Sequence, residues 1–75
     1  AFEQIGLKDD TKKVYHLLED VLSERERQVI IMRYGLYHGR EYTQREIAQK
    51  LGISRSYISR IEKNALGRLK EYFRD

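Results

Sequence analysis

Three features of the sequence predict an all-α fold, a small helical bundle of four to five helices containing a helix-turn-helix. Apolar residues recur at helical spacing, first at Val14, Leu17, Leu18, Val21 and Leu22 and again at Ile58, Ile61, Ala65, Leu69 and Tyr72; strands would alternate with a period of two. Ser23 and Thr43 are each followed three residues on by glutamate, Glu26 and Glu46, the reciprocal capping box of a helix start. Gly35 and Gly52 close the apolar runs, where a chain leaving a helix commonly needs the left-handed conformation that glycine adopts without a Cβ clash.

Residues 1–9, AFEQIGLKD, show no sustained period and are predicted to be a linker or loosely packed tail, with Phe2 and Ile5 docking on the core. The domain proper then occupies 10–75. Helix one is expected from about Asp10 to Leu22, with a one-sided apolar stripe. Helix two follows the Ser23 cap, from Glu24 to Tyr34. Its run Val29, Ile30, Ile31, Met32 spans most of a helical turn, so around a single core at least one of the four is expected to be exposed. Ile31 or Met32 then either packs under the following loop or forms a partner-binding patch.

The loop from Leu36 to Tyr42 has a usual length for a helix-to-helix connection. After it, Thr43 caps a third helix whose entry is fixed by a Tyr42–Ile47 staple. Ile47, Ala48 and Leu51 share a face, and the small Ala48 at its centre lets a second helix cross closely. That helix should end at Leu51, before Gly52. Ser54 then caps the last helix, stapled by Ile53 and Ile58. Its period holds to about Tyr72, with Leu66 and Phe73 beside the stripe. Gly67, inside it, costs about 1 kcal/mol relative to alanine, so a kink or fraying is expected past Leu66 if anywhere.

A chain of 75 residues forms one small domain, whose single core rarely supplies more than about 3–5 kcal/mol of net stability. No large enclosed active site is expected. With no cysteine there is neither a disulfide framework nor a thiolate metal site, and no apolar run approaches the roughly 20 residues of a membrane span. No small-molecule substrate or cofactor is implied. The expected compartment is the cytoplasm, and a start at Ala1 rather than methionine suggests an excised piece of a longer chain. His16 and His38 have no partners at metal or triad spacing, so neither catalysis nor metal binding is expected. The six tyrosines are scattered rather than set as a stacking platform.

The net charge is +3, and its distribution says more than its size. Residues 1–22 hold three Lys against five acids, whereas 55–75 hold six bases against three. Basic charge therefore collects where the motif puts the second helix of the pair, and positive charge is the sequence-independent part of nucleic-acid affinity. With Ile58, Ile61 and Ala65 turned inward, the opposite face presents Arg55, Ser56, Ser59, Arg60 and Lys63. Arginine can pair bidentately with guanine O6 and N7, serine can serve several base edges, and lysine meets phosphate as a point charge. Arg55 and Arg60 are the expected direct base contacts, with Ser56 and Ser59 tuning preference. Thr43, Gln44 and Arg45, at the start of the first helix of the pair, are expected at phosphates together with Lys63. Tyr57 either donates its hydroxyl to a phosphate or covers the helix edge. Glu62 is expected to pair with a neighbouring Arg or Lys.

The stretch LSERERQVIIMRYGLYHGREYTQREIAQKLGISRSYISRIEKNALGRLKEYF, from Leu22 to Phe73, closely resembles the fourth conserved region of bacterial RNA polymerase sigma factors. Within that group it looks most like the sporulation-type relatives of the housekeeping factor. The most diagnostic segments are RERQVIIMRYGL and YTQREIAQKLGISRSYISRIEKNALGRL. The resemblance implies recognition of the upstream (minus-35) promoter hexamer in double-stranded DNA, and docking of another surface on the flap-tip helix of the polymerase β subunit. An anti-sigma factor is a further candidate partner. Family base-contacting positions fall on Arg55, Ser56, Ser59 and Arg60. Housekeeping members carry an acidic residue where Ser56 stands, arginine at Ser59 and glutamine at Arg60, so their hexamer preference does not transfer unchanged. Two other readings stand beside this one: a free-standing helix-turn-helix regulator, for which nothing after Tyr72 offers a dimerisation element, and a module whose main work is binding protein.

Overall fold

Capping chemistry fixes where three of the helices begin. The computed structural model describes residues 11–36 and 39–73, with side chains from residue 15 onward. The tail 1–9 with Phe2 and Ile5, the side chain of Val14, and His38 lie outside the described residues. The helices are α1 (Thr11–Val21), α2 (Glu24–Tyr34), α3 (Gln44–Leu51) and α4 (Arg55–Tyr72). Both expected capping boxes are present. The Ser23 hydroxyl accepts from the Glu26 N–H at 3.3 Å while the Glu26 carboxylate accepts from the Ser23 N–H at 2.9 Å. Thr43 and Glu46 repeat the exchange at 3.1 and 2.9 Å. At α4 the Ser54 hydroxyl accepts from the Tyr57 N–H at 3.2 Å. Each contact satisfies a first-turn donor that the helix itself cannot.

Two glycines end helices in the left-handed region. Gly35 has φ 63° and Gly52 φ 69°, and the N–H of each returns to a carbonyl of the helix it ends, Ile31 and Ala48 respectively. Gly35 is the tighter position. A Cβ there would lie 2.9 Å from the Gly39 carbonyl oxygen, so neither the angle nor the space admits a side chain.

The interior differs from the expected single core. One cluster joins Leu18 and Leu22 with Ile30, Ala65 and Leu69, and is edged by Val21, Ile31, Tyr34, Leu36 and Leu66. A second joins Val29, Ile47, Ala48, Ile58 and Ile61, and is edged by Met32, Tyr42, Leu51 and Ile53. The second is the interior of the helix-turn-helix, with both staples packed on it. Helix α2 lies between the two and feeds both, which explains its four consecutive apolar residues. Val29 and Ile30 are fully buried, one in each cluster. Ile31 and Met32 are half-buried, again one at each. The expectation that one of the four would be exposed is thus corrected, because it assumed one core.

Helix α4 runs unbroken through Gly67, so the glycine produces neither kink nor fraying there. A Cβ at Gly67 would meet nothing within 4 Å. Gly67→Ala should therefore stabilise the domain by about 1 kcal/mol. In a domain of this size that raises the melting temperature by roughly 4–8 °C, and an unchanged or lower midpoint in a thermal melt would refute it. The end of α4 departs from the expected inner stripe: Tyr72 is 60% exposed and Phe73 43%. Among the described residues neither ring belongs to either buried cluster. The two rings instead meet edge to face at 5.2 Å.

Candidate nucleic-acid interface

Burial of Ile58, Ile61 and Ala65 fixes the roll of α4 and leaves its other face to solvent. Arg55, Ser56, Tyr57, Ser59, Arg60 and Lys63 are all exposed. The Ser56 hydroxyl lies 3.3 Å from that of Ser54, so the cap and the candidate base contact share a hydrogen bond. The Arg60 guanidinium carbon stands 5.7 Å from the centre of the Tyr57 ring. Tyr57, 46% exposed, therefore leans along the helix beneath Arg60.

The start of α3 adjoins this face. An open recess of about 370 Å³ is lined by Arg33, Thr43, Gln44, Arg45 and Arg55. All three residues expected at phosphates from α3 are brought together there, and Arg55 of α4 joins them. Their side chains are not equally available. The Thr43 hydroxyl is engaged in its cap, and the Gln44 amide donates to Glu62 at 2.9 Å. Arg45 is exposed. The N–H groups of Gln44 and Arg45, in the first turn of α3, have no intrahelical acceptor and point outward with the positive end of the helix.

Glu62 organises the junction beneath the recess. Only 9% exposed, its carboxylate accepts from Arg33 Nε at 3.3 Å, the Tyr34 hydroxyl at 3.1 Å and the Gln44 amide. Arg33 also donates to the Tyr42 carbonyl at 3.4 Å. Glu62 does pair with an arginine, but the partner is on α2, 29 residues away, rather than on its own helix. Burial, and then the bond to Glu62, push the Tyr34 hydroxyl above its ordinary pKa. A second buried carboxylate, Glu26, takes Arg68 Nε at 3.1 Å and ties α2 to α4 on the other side.

Sequence reasoning passed over Arg33, Glu26 and Glu62 as parts of this framework, yet a signal existed. Glu62 completes the spacing Ile58, Ile61, Glu62, Ala65, and Glu26 completes Glu26, Val29, Ile30, Arg33. A carboxylate on an inward stripe needs donors from another helix. Near the loop, Arg40 lies 4.0 Å over the Tyr42 ring and Lys50 5.4 Å from its centre. Arg40 also reaches Glu46 at 3.4 Å. The Thr43 N–H, with Arg40, holds the Glu46 carboxyl below the usual carboxylate range. Among the described residues no group of His, Cys, Asp or Glu is placed to hold a metal, and no helix is long and apolar enough to cross a membrane.

The family model for sigma-70, region 4 matches residues 20–71. The chain is similar to the RNA polymerase sigma-28 factor of Bacillus thuringiensis subsp. kurstaki, 49% identical over 73 residues that cover 97% of this chain and 30% of the relative. It is likewise 49% identical to the RNA polymerase sigma-K factor of Bacillus subtilis, over 99% of this chain and 25% of that protein. With the RNA polymerase sigma-E factor of Clostridium acetobutylicum it shares 54% identity over 67% of this chain and 21% of the other. The chain thus spans less than a third of the length of these relatives. No solved structure matches it.

Proposed function

The chain belongs to the sigma-70 region 4 family, and from that premise we propose that it recognises promoter DNA in transcription initiation. It does so as the domain of an RNA polymerase sigma factor that reads the minus-35 element. The observation that carries the proposal is the exposed face of α4, where Arg55, Ser56, Ser59 and Arg60 stand opposite buried Ile58, Ile61 and Ala65. In a helix-turn-helix the N-terminal turns of the second helix meet base edges while the first helix crosses the backbone. Arg55 and Arg60 are assigned to bases, and Ser56 and Ser59 to secondary preference. Phosphate is assigned to Lys63 and to the start of α3, where Thr43, Gln44 and Arg45 line one basic recess with Arg33 and the first-turn N–H groups of Gln44 and Arg45 are available. Of the two roles open to Tyr57, cover of the helix edge beside Arg60 is assigned here, in place of a hydroxyl contact to phosphate.

One unpaired reading helix binds weakly, so salt dependence is the test of this electrostatic footing. Neutralising about four phosphates gives a log–log slope of affinity against salt near −3.6. Lys63→Ala should weaken all sequences alike and reduce that slope by about one. A slope near zero for the unaltered chain in a titration with promoter duplex removes the DNA reading.

Docking on the polymerase β flap is the second half of the proposal. It is assigned to the residual apolar surface at Ile31 and Met32 with α1, which would receive the apolar face of an amphipathic helix. Ile31 shares its cluster with Val21 and Leu22 at the end of α1, and so carries the larger share; Met32 sits beside Tyr42 and Ile53. Ile31→Thr should weaken binding of a flap peptide by about 1 kcal/mol, the worth of partial burial of such a side chain. Met32→Gln should cost less. Equal flap affinity in both variants, with melting curves showing them folded, would relocate the docking surface. An anti-sigma factor competing for the same edge would be displaced by the flap peptide.

A further inference from the structure

The arrangement of Tyr57 and Arg60 has a consequence for how bases are told apart. The Arg60 side chain is exposed and makes no hydrogen bond or ion pair with the described residues; its guanidinium carbon is 5.7 Å from the centre of the Tyr57 ring. A long side chain with no other anchor samples many rotamers, and reading a base requires one of them. An aromatic face within about 6 Å attracts a guanidinium and limits where it goes. The two residues are three apart on α4, hence neighbours on its surface, and the Ser54 hydroxyl, by taking the Tyr57 backbone N–H, fixes where the Tyr57 side chain leaves the helix.

We infer that Tyr57 is a positioning residue for base discrimination: its ring holds the Arg60 guanidinium in the orientation that meets the base edge, and its hydroxyl is dispensable. The inference rests on the assignment of Arg60 to base contact and adds to it the group that sets the geometry. It differs from a phosphate contact by Tyr57, which would act through the hydroxyl and strengthen all sequences equally.

The test is binding of the 75-residue chain to duplexes carrying every single-base change in its preferred hexamer, for Tyr57→Ala, Tyr57→Phe, Arg60→Ala and the Tyr57→Ala/Arg60→Ala double variant. Tyr57→Ala should reduce discrimination about two- to fivefold at the base pair read by Arg60 and leave the other pairs unchanged, the range of an exposed cation–π contact. Tyr57→Phe should keep the parent pattern. In the double variant Tyr57→Ala should add nothing to the loss caused by Arg60→Ala. Three results overturn the inference while leaving base reading by Arg60 intact: a Tyr57→Phe loss equal to that of Tyr57→Ala, a Tyr57→Ala loss spread evenly over the panel, or a Tyr57→Ala loss undiminished when Arg60 is absent. A panel unchanged in Arg60→Ala overturns the base-reading assignment itself, and the positioning role with it.

Discussion

Glu62→Ala is expected to bring the domain close to its unfolding midpoint at ordinary temperature. Its carboxylate is the side-chain node that joins three helices, taking donors from Arg33 and Tyr34 on α2 and from Gln44 on α3. Removing it strands all three donors at a partly buried junction. Breaking a buried, hydrogen-bonded ion pair costs about 3–5 kcal/mol. Because the Arg33 side chain is 36% exposed and can turn to water, the lower end applies. That is still comparable to the roughly 3–5 kcal/mol available to a core of this size. A loss of about 3 kcal/mol corresponds to a melting temperature lowered by roughly 12–24 °C. Glu62→Gln keeps one acceptor oxygen, for Gln44 and Arg33, loses the charge, and places an NH2 where Tyr34 donates, to which the Tyr34 hydroxyl can turn as acceptor, so it should fall between alanine and the parent. The measurement is thermal unfolding followed by circular dichroism. A shift of only a few degrees for Glu62→Ala would mean that the apolar clusters alone hold α3 against α4.

The double variant Arg55→Ala/Arg60→Ala is expected to bind its preferred hexamer no better than unrelated DNA. Each bidentate arginine–guanine pair is worth about 1–3 kcal/mol of discrimination. The two residues share no hydrogen-bond partner, so their losses should add to about 2–6 kcal/mol. Both side chains are exposed and arginine and alanine have similar helix propensity, so the fold should survive. The single variants separate two surroundings. Arg60 stands over Tyr57, whereas Arg55 also lines the recess with Arg33 and Arg45. A loss confined to one base pair marks readout; a loss equal on every sequence, with a shallower salt slope, marks phosphate. Retention of hexamer preference by the double variant would move base reading off these two residues.

The elements were legible where short-range chemistry decides them. Ser23 with Glu26, Thr43 with Glu46, and Gly35 and Gly52 set the ends of α2 and α3, and Ser54 set the start of α4. Each lies within a few residues of the feature it controls. What was not legible depends on which helices meet. That α2 serves two interiors follows from its place between α1 and α3, and the sequence around Val29–Met32 shows only an excess of apolar residues. The Glu62–Arg33 and Glu26–Arg68 pairs span 29 and 42 positions, a range over which periodicity carries no information. Tyr72 and Phe73 keep the helical period, but among the described residues they meet each other and join neither buried cluster. On the candidate site, the exposed face of α4 followed directly from the inward stripe of Ile58, Ile61 and Ala65. The engagement of the Gln44 amide by Glu62 required the third dimension.

Base reading by the N-terminal turns of α4 is tested by affinity over all single-base variants of the preferred hexamer, for the parent chain and for Arg55→Ala, Arg60→Ala and Lys63→Ala. Each arginine variant should lose about 1–3 kcal/mol on the preferred site and relax discrimination at its own base pair, while Lys63→Ala weakens every duplex alike. Even losses across the panel in both arginine variants, with base preference intact, would contradict direct readout by this face.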